Sequence, residues 1–340
     1  MKRKFLFVLI LSLIVAPAQA RRFKSGPLEL EVNPAKAPES GEKYSLLPTA
    51  DKQTDADAAP LYKEAVEALA GGRKQQEQIG KWLELPPEQL PQEQVEAMIQ
   101  KNLESLRLVA RAAKCKQCKW PKWKPGTNPP NQSGYRNLSF LVRLWARLEI
   151  ARGRQDSALP AMQTGFGMAK HIGEGPTTIQ ALVGIAIGAT MCREVELFIE
   201  GEDSPNLYRA LDDLPRPFID ATKAIESEKA NLNAYNFLIR KQFEKQLKPA
   251  HDRMLIIQKR FGNNLNVVQC VEAIRHYAAT HDGQLPEKLS DITDLELPND
   301  VFTSKPFEYR RTDKGAVVQS SMPEGGDAID MTRYEVVVKK

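Results

Sequence analysis

Four cysteines, four histidines and four tryptophans are all that 340 residues contain. Such scarcity limits the chemistry on offer. A structural zinc site needs four ligands of the Cys/His type at close spacing, and after Cys115-x-x-Cys118 there is no second CxxC and no HxxxH. His276 and His281 stand five apart, off the i, i+4 spacing that sets two ligands on one helical face, and no Glu accompanies them as in zinc proteases. No glycine-rich phosphate loop occurs, and Ser320-Ser321 lacks the surroundings of a nucleophile elbow. Glu324, Asp327 and Asp330 flank Gly325-Gly326 without the spacing of an EF-hand, so they read as a solvated turn rather than a calcium loop. These absences predict no catalytic, cofactor-binding or metal-binding residue.

Long apolar runs are also missing, apart from the start. Lys2, Arg3 and Lys4 precede an apolar stretch from Phe5 to Val15, broken only by Ser12, and Ala18-Gln19-Ala20 follows. The pattern predicts a signal peptide over residues 1–20, hence a periplasmic or extracellular protein. The alternative is an uncleaved N-terminal anchor. The stretch is about half of the ~20 residues a spanning helix needs, and no later segment reaches that length. No stable membrane span is expected after cleavage. Removing those residues takes away three Lys/Arg and no acid, so the net charge falls from +5 to +2. Five lysines gather between Lys114 and Lys124, but no tract of nucleic-acid type remains, and no nucleic-acid partner is expected.

Prolines 27, 34, 38 and 48 punctuate residues 21–57, which read as a flexible linker with a candidate edge strand at Leu28–Val32. Helical periodicity begins at Asp57, before Pro60 in a first turn. It recurs over 74–83, over 93–113 as one helix, and over 135–152, 156–172 and 177–200, then at 207–211. The 177–200 segment is apolar around most of its circumference, which places it centrally. Gly184 and Gly188 within it would let another backbone approach. Residues 218–248 predict a long helix ended by Pro249, with a further helix over 251–280. After Gly283, short β-type runs (307–311, 316–320, 334–338) replace helical patterning. The expected fold is mainly α: an irregular helical bundle or short α-solenoid over 58–249, followed by a small α+β module over 250–340.

Two stretches resemble known families. Ala58-Ala59-Pro60-Leu61-Tyr62, Cys118-Lys119-Trp120, Leu144–Arg152, Gly153–Ala158 and the run from Thr178 to Ala186 are similar to uncharacterised exported helical proteins of planctomycete-type bacteria. That resemblance implies an envelope location and transfers no activity. The tail resembles the globular end of type II secretion pseudopilins, through Ala273–Gly283, Leu285-Pro286 and Asp300–Tyr309. Val301 and Ser304 stand where that pattern has Pro and Gly, and the pseudopilin cleavage motif and assembly helix are absent.

The loop after residue 113 holds the sharpest local feature. Cys115 and Cys118 form a candidate disulfide in an oxidising compartment, or a thiol or metal pair. Trp120 and Trp123 either stack on a partner, making the loop a partner-binding surface, or pin the loop to the core. The favoured function is a non-enzymatic scaffold for another envelope protein. The alternatives are a thiol- or metal-dependent enzyme using Cys115/Cys118, and a secretion-apparatus accessory.

Overall fold

The computed structural model describes residues 28–39, 44–121, 132–232 and 237–339. The chain starts with strand β1 (Leu28–Val32) and a short strand β2 (Thr54–Asp57). Asp57 then caps helix α1 (Ala58–Glu67), its carboxylate accepting from the Ala59 amide at 3.1 Å, and Pro60 sits where a missing N–H costs nothing. Helices α2 (Arg73–Trp82), α3 (Gln92–Lys101) and α4 (Leu103–Ala113) follow, and β3 (Cys115–Gln117) runs parallel to β2. The central helices are α5 (Gln132–Ala151), α6 (Gln155–Gly173) and α7 (Thr178–Ile199). After the short α8 (Tyr208–Asp212) come α9 (Ala221–Leu232) and the 44-residue α10 (Phe237–Thr280). The tail adds β4 (Glu308–Arg311), β5 (Ala316–Gln319) and β6 (Arg333–Val338).

The architecture is mainly α with a small mixed sheet. Helices pack beyond their sequence neighbours: α1 on α4, α4 on α6, α3 on α5 and α7 on α10. A solenoid confines contacts to adjacent repeats, so the arrangement is an irregular bundle. As its composition predicts, α7 lies at the centre, packed on α5, α6, α9 and α10. Its glycines divide their roles. A Cβ at Gly184 would fall 2.4 Å from the Gly173 Cα and 2.6 Å from the Ala169 carbonyl, so here two helix backbones touch. Gly188 instead accommodates a side chain, the Phe261 ring of α10. Gly184→Ala is expected to destabilise the fold by about 1–3 kcal/mol, measured as a lower denaturation midpoint. Unchanged stability would mean that α6 and α7 separate at little cost.

Three expectations are corrected. Residues 93–113 are two helices, not one, because Asn102 is buried and turns its side chain onto backbone. Its Nδ2 donates to the Met98 carbonyl at 2.9 Å and its Oδ1 accepts from the Ala70 amide at 2.9 Å. That competition interrupts the ladder. Second, α10 runs through Pro249 instead of stopping there. The carbonyl one turn earlier, at Lys245, belongs to an exposed residue, so water can serve it where the proline N–H is missing.

Third, the described part of the segment expected to be a flexible linker is built into the fold. β1 is the edge strand of a sheet ordered β1-β6-β5-β4, paired parallel to β6 with Leu30 opposite Val336. Strands β4 to β6 form an antiparallel meander, and β5 and β6 pack on α10. The alternation Leu-Glu-Leu-Glu-Val buries Leu30 and Val32, each burial stabilising by about 1.5–3 kcal/mol, and turns Glu29 and Glu31 outward. Beyond the strand, the buried Arg275 of α10 donates to the Asn33 carbonyl, Asn206 donates to the Ala35 carbonyl, and the Ala37 amide donates to His276 Nδ1. Pro34, read as linker punctuation, sits between backbone groups of Asn33 and Ala35 that Arg275 of α10 holds. Neither the linker limit at 57 nor the boundary at 249/250 therefore coincides with a break in packing.

Candidate functional site

The loop leaving α4 was the leading candidate, and its surroundings are aromatic. Thr54 pairs with Cys115 and Asp57 with Gln117, so β2 sets the start of the loop. Asp57 does double duty: the oxygen that caps α1 also accepts from the Lys119 amide at 2.8 Å. Trp120 then folds inward. Its Nε1 donates to the His171 carbonyl at 2.6 Å, its ring stacks on Tyr62 at 6.4 Å, and it meets Tyr135 edge-on at 5.5 Å. Of the two readings of this tryptophan, the geometry at position 120 is the pinning one. Trp123 lies outside the described residues.

Beneath Trp120, the fully buried Tyr62 hydroxyl contacts His171 Nδ1 at 3.0 Å. Burial pushes the Tyr62 phenol well above its ordinary range, so it stays protonated. Burial also lowers His171, outweighing the nearby Glu174, so the ring is held neutral. The network Tyr62–His171–Trp120 is thus a buried structural lock, with its donors and acceptors already engaged.

The thiols are in surroundings that oppose reactivity. Cys115 is buried and contacts the Arg111 carbonyl at 3.5 Å, and both Cys115 and Cys118 are free thiols in the structure. Burial raises the Cys118 thiol far above its usual range, and the charges of Asp57, Cys115 and Glu174 raise it further. The thiolate is the nucleophile and the metal ligand, and among the described residues no positive charge counters that shift. Cys192 and Cys270 are buried in helices. Burial holds Cys192 well above the thiol range and pushes Cys270 up to about 12.

The remaining candidates are dispersed. His276 joins the Ala37 amide to Asp294, whereas His281 stacks on Tyr277 at 3.7 Å. Glu228 caps α7 by accepting from the Thr178 amide and hydroxyl, both at 2.8 Å, while Glu226 is exposed. Asp330 is held by both nitrogens of the Arg253 fork and by the Asp327 amide. The Ser320 hydroxyl accepts from the Thr332 amide at 3.0 Å. Among the described residues no group of three or more His, Cys, Asp or Glu is arranged to hold a metal ion. A cavity of about 260 Å³ opens between Lys170, Glu174, Arg216, Asp220 and Lys223. Two of its cations are committed: Lys170 pairs with Glu174, and Arg216 donates to the Leu211 and Leu214 carbonyls and to Asn266, while Lys223 is exposed.

Sequence reasoning missed two clusters of buried charge. Glu194 on α7 is completely buried between Arg143 and Arg147 of α5, with contacts of 2.7–3.1 Å, and Arg147 also donates to the Leu85 carbonyl. Glu272 and Arg275 on α10 are likewise fully buried and paired at 3.0 Å. The available signal was an arginine pair at i, i+4 and a glutamate inside apolar helices. Among the described residues no helix is long and apolar enough to cross a membrane. No family model, curated protein or solved structure matches this chain.

Proposed function

We propose that this chain is an exported envelope protein acting as a non-enzymatic scaffold, which offers its helical surface to another envelope protein. One observation carries the reading: the buried polar clusters around His171, Glu194 and Arg275 are spent on one another and on backbone. Tyr62, His171 and Trp120 lock a loop, and Glu194 and Arg275 tie helices and strands together. Such side chains set a rigid shape and leave recognition to the surface.

The test is photocrosslinking in the intact cell envelope from probes placed singly along exposed helix positions such as Glu64, Lys74 and Gln100. Adducts to one envelope protein from neighbouring positions are expected. Scattered adducts, together with turnover of a substrate that Cys118→Ser abolishes, would instead establish the thiol-enzyme reading.

A second reading, a secretion-apparatus accessory, draws on the order of elements in the tail, a long helix followed by the β4–β6 meander. Its test is a probe at Arg310 on the edge strand β4. Truncating the tail would be a poor substitute, because β1 would lose the strand it pairs with.

A further inference from the structure

The first three turns of α10 differ from the rest of the molecule. Between Phe237 and Lys248 the sequence places four cations (Arg240, Lys241, Lys245 and Lys248) and one anion, Glu244, a net of +3. The chain without its first twenty residues is +2, so everything else beyond residue 20 sums to −1. Positive charge thus gathers on this helical stretch, as it does in the loop between Lys114 and Lys124. Among the described residues no side chain from Arg240 to Ala250 is buried, and burial begins at His251. Helices draw their stability mainly from tertiary packing of one face, and the described side chains of this stretch bury none.

Phe237 is 62 % exposed, the highest value for a large apolar side chain among the described residues. At about 100° per residue, Phe237, Lys241, Lys245 and Lys248 form one stripe along the helix. The Arg240 guanidinium and the Lys241 ammonium lie over the Phe237 ring, at 5.8 and 5.9 Å. Two of the cations have acidic neighbours, Arg240 with Glu244 at 3.8 Å and Lys248 with Asp252 at 2.7 Å. Lys241 and Lys245 have none among the described residues.

We propose that this part of α10 is an arm that docks on an anionic lipid surface. An aromatic ring suits the boundary between headgroups and acyl chains, and flexible lysines behind it reach lipid phosphates, each worth about 1 kcal/mol near such a surface. A convex stripe open to water on its flanks matches a flat, extended charge better than it matches a peptide, whose recognition uses a groove or a sheet edge. The arm would hold the protein against a membrane peripherally. The inference stands on the charge and exposure of α10 and not on the scaffold reading.

The experiment is co-sedimentation of the full mature chain with phosphatidylcholine vesicles, with and without phosphatidylglycerol, at low and at high salt. Binding to the anionic vesicles alone is expected, weakened by salt and at least about tenfold by K241E/K245E. Phe237→Ser should weaken binding while leaving the salt dependence in place. The substituted side chains are exposed, so the helical circular dichroism and melting temperature of each variant should match the parent. Failure to bind anionic vesicles at low salt, equal binding to neutral ones, or undiminished binding by K241E/K245E would overturn the proposal. Charge-dependent retention on polyglutamate without vesicle binding would overturn it too, and would assign the arm to an acidic protein segment.

Discussion

Replacing Arg275 with methionine is expected to lower the unfolding free energy by about 3–5 kcal/mol, the range for removing one partner of a buried ion pair. The guanidinium is completely buried and donates in four directions: to Glu272, to the Asn33 carbonyl, and to the Ser204 carbonyl and hydroxyl. It is the point where the segment after β1, the turn before α8 and helix α10 meet. Methionine keeps much of the aliphatic stem but strands Glu272, and it leaves two backbone carbonyls without their donor. Burial already raises Glu272 above the usual carboxylate range despite the arginine. In the variant the shift should grow. A carboxyl whose folded pKa is raised is penalised once ionised, so the penalty sets in as pH rises through the unfolded value near 4.5 and is complete above the folded one. Acidifying from neutral pH should therefore recover part of the lost stability relative to the parent. Urea midpoints across pH, together with protease cleavage near β1, report both effects. A small loss independent of pH would show that the pair contributes little to joining the two ends of the chain.

The second large effect is expected at Glu194, with the opposite dependence on pH. Burial raises this carboxyl, but Arg147 and Arg143 together outweigh it and hold it below the carboxylate range. A depressed folded pKa contributes stability that is complete above the unfolded value, near 4.5, and is lost as pH falls from there through the folded value. The parent should therefore weaken on acidification partly through this residue. Glu194→Gln should cost about 3–5 kcal/mol at neutral pH, because two arginines remain buried without a counter-charge. The difference between variant and parent should shrink below pH 4.5. Replacing all three with apolar residues of similar volume should restore most of the stability, since the triad is costly to bury and dangerous to break. If E194Q alone were harmless, water would have to reach the arginines, contrary to the complete burial of the glutamate between them.

The contrast between these carboxylates shows where sequence reading stopped. Both are glutamates inside apolar helical patterns, and nothing local separates them. One has two guanidiniums from another helix, the other a single guanidinium three residues along its own. The candidate loop was similarly half legible. Its cysteines and Trp120 stood out by rarity, whereas Tyr62, Tyr135 and His171, which make the loop a lock, come from three separate helices. Trp120 found its partners through packing, and Cys118 is kept as a thiol through burial beside carboxylates contributed by other elements.

What the sequence determined by itself was whatever rests on interactions a few residues apart. The helices over 58–67, 73–82, 132–151, 155–173 and 178–199 and the short strands of the tail were readable because periodicity and capping act within a few turns. The central place of α7 was readable because a helix apolar all round cannot face water. Tertiary structure alone decided the parallel pairing of β1 with β6, about three hundred residues away, the break at Asn102, the passage of α10 through Pro249 and the pairing of the buried charges. Each of these depends on which distant groups supply hydrogen bonds or opposite charge, and on whether water can replace them. Those conditions exist only once the chain has packed.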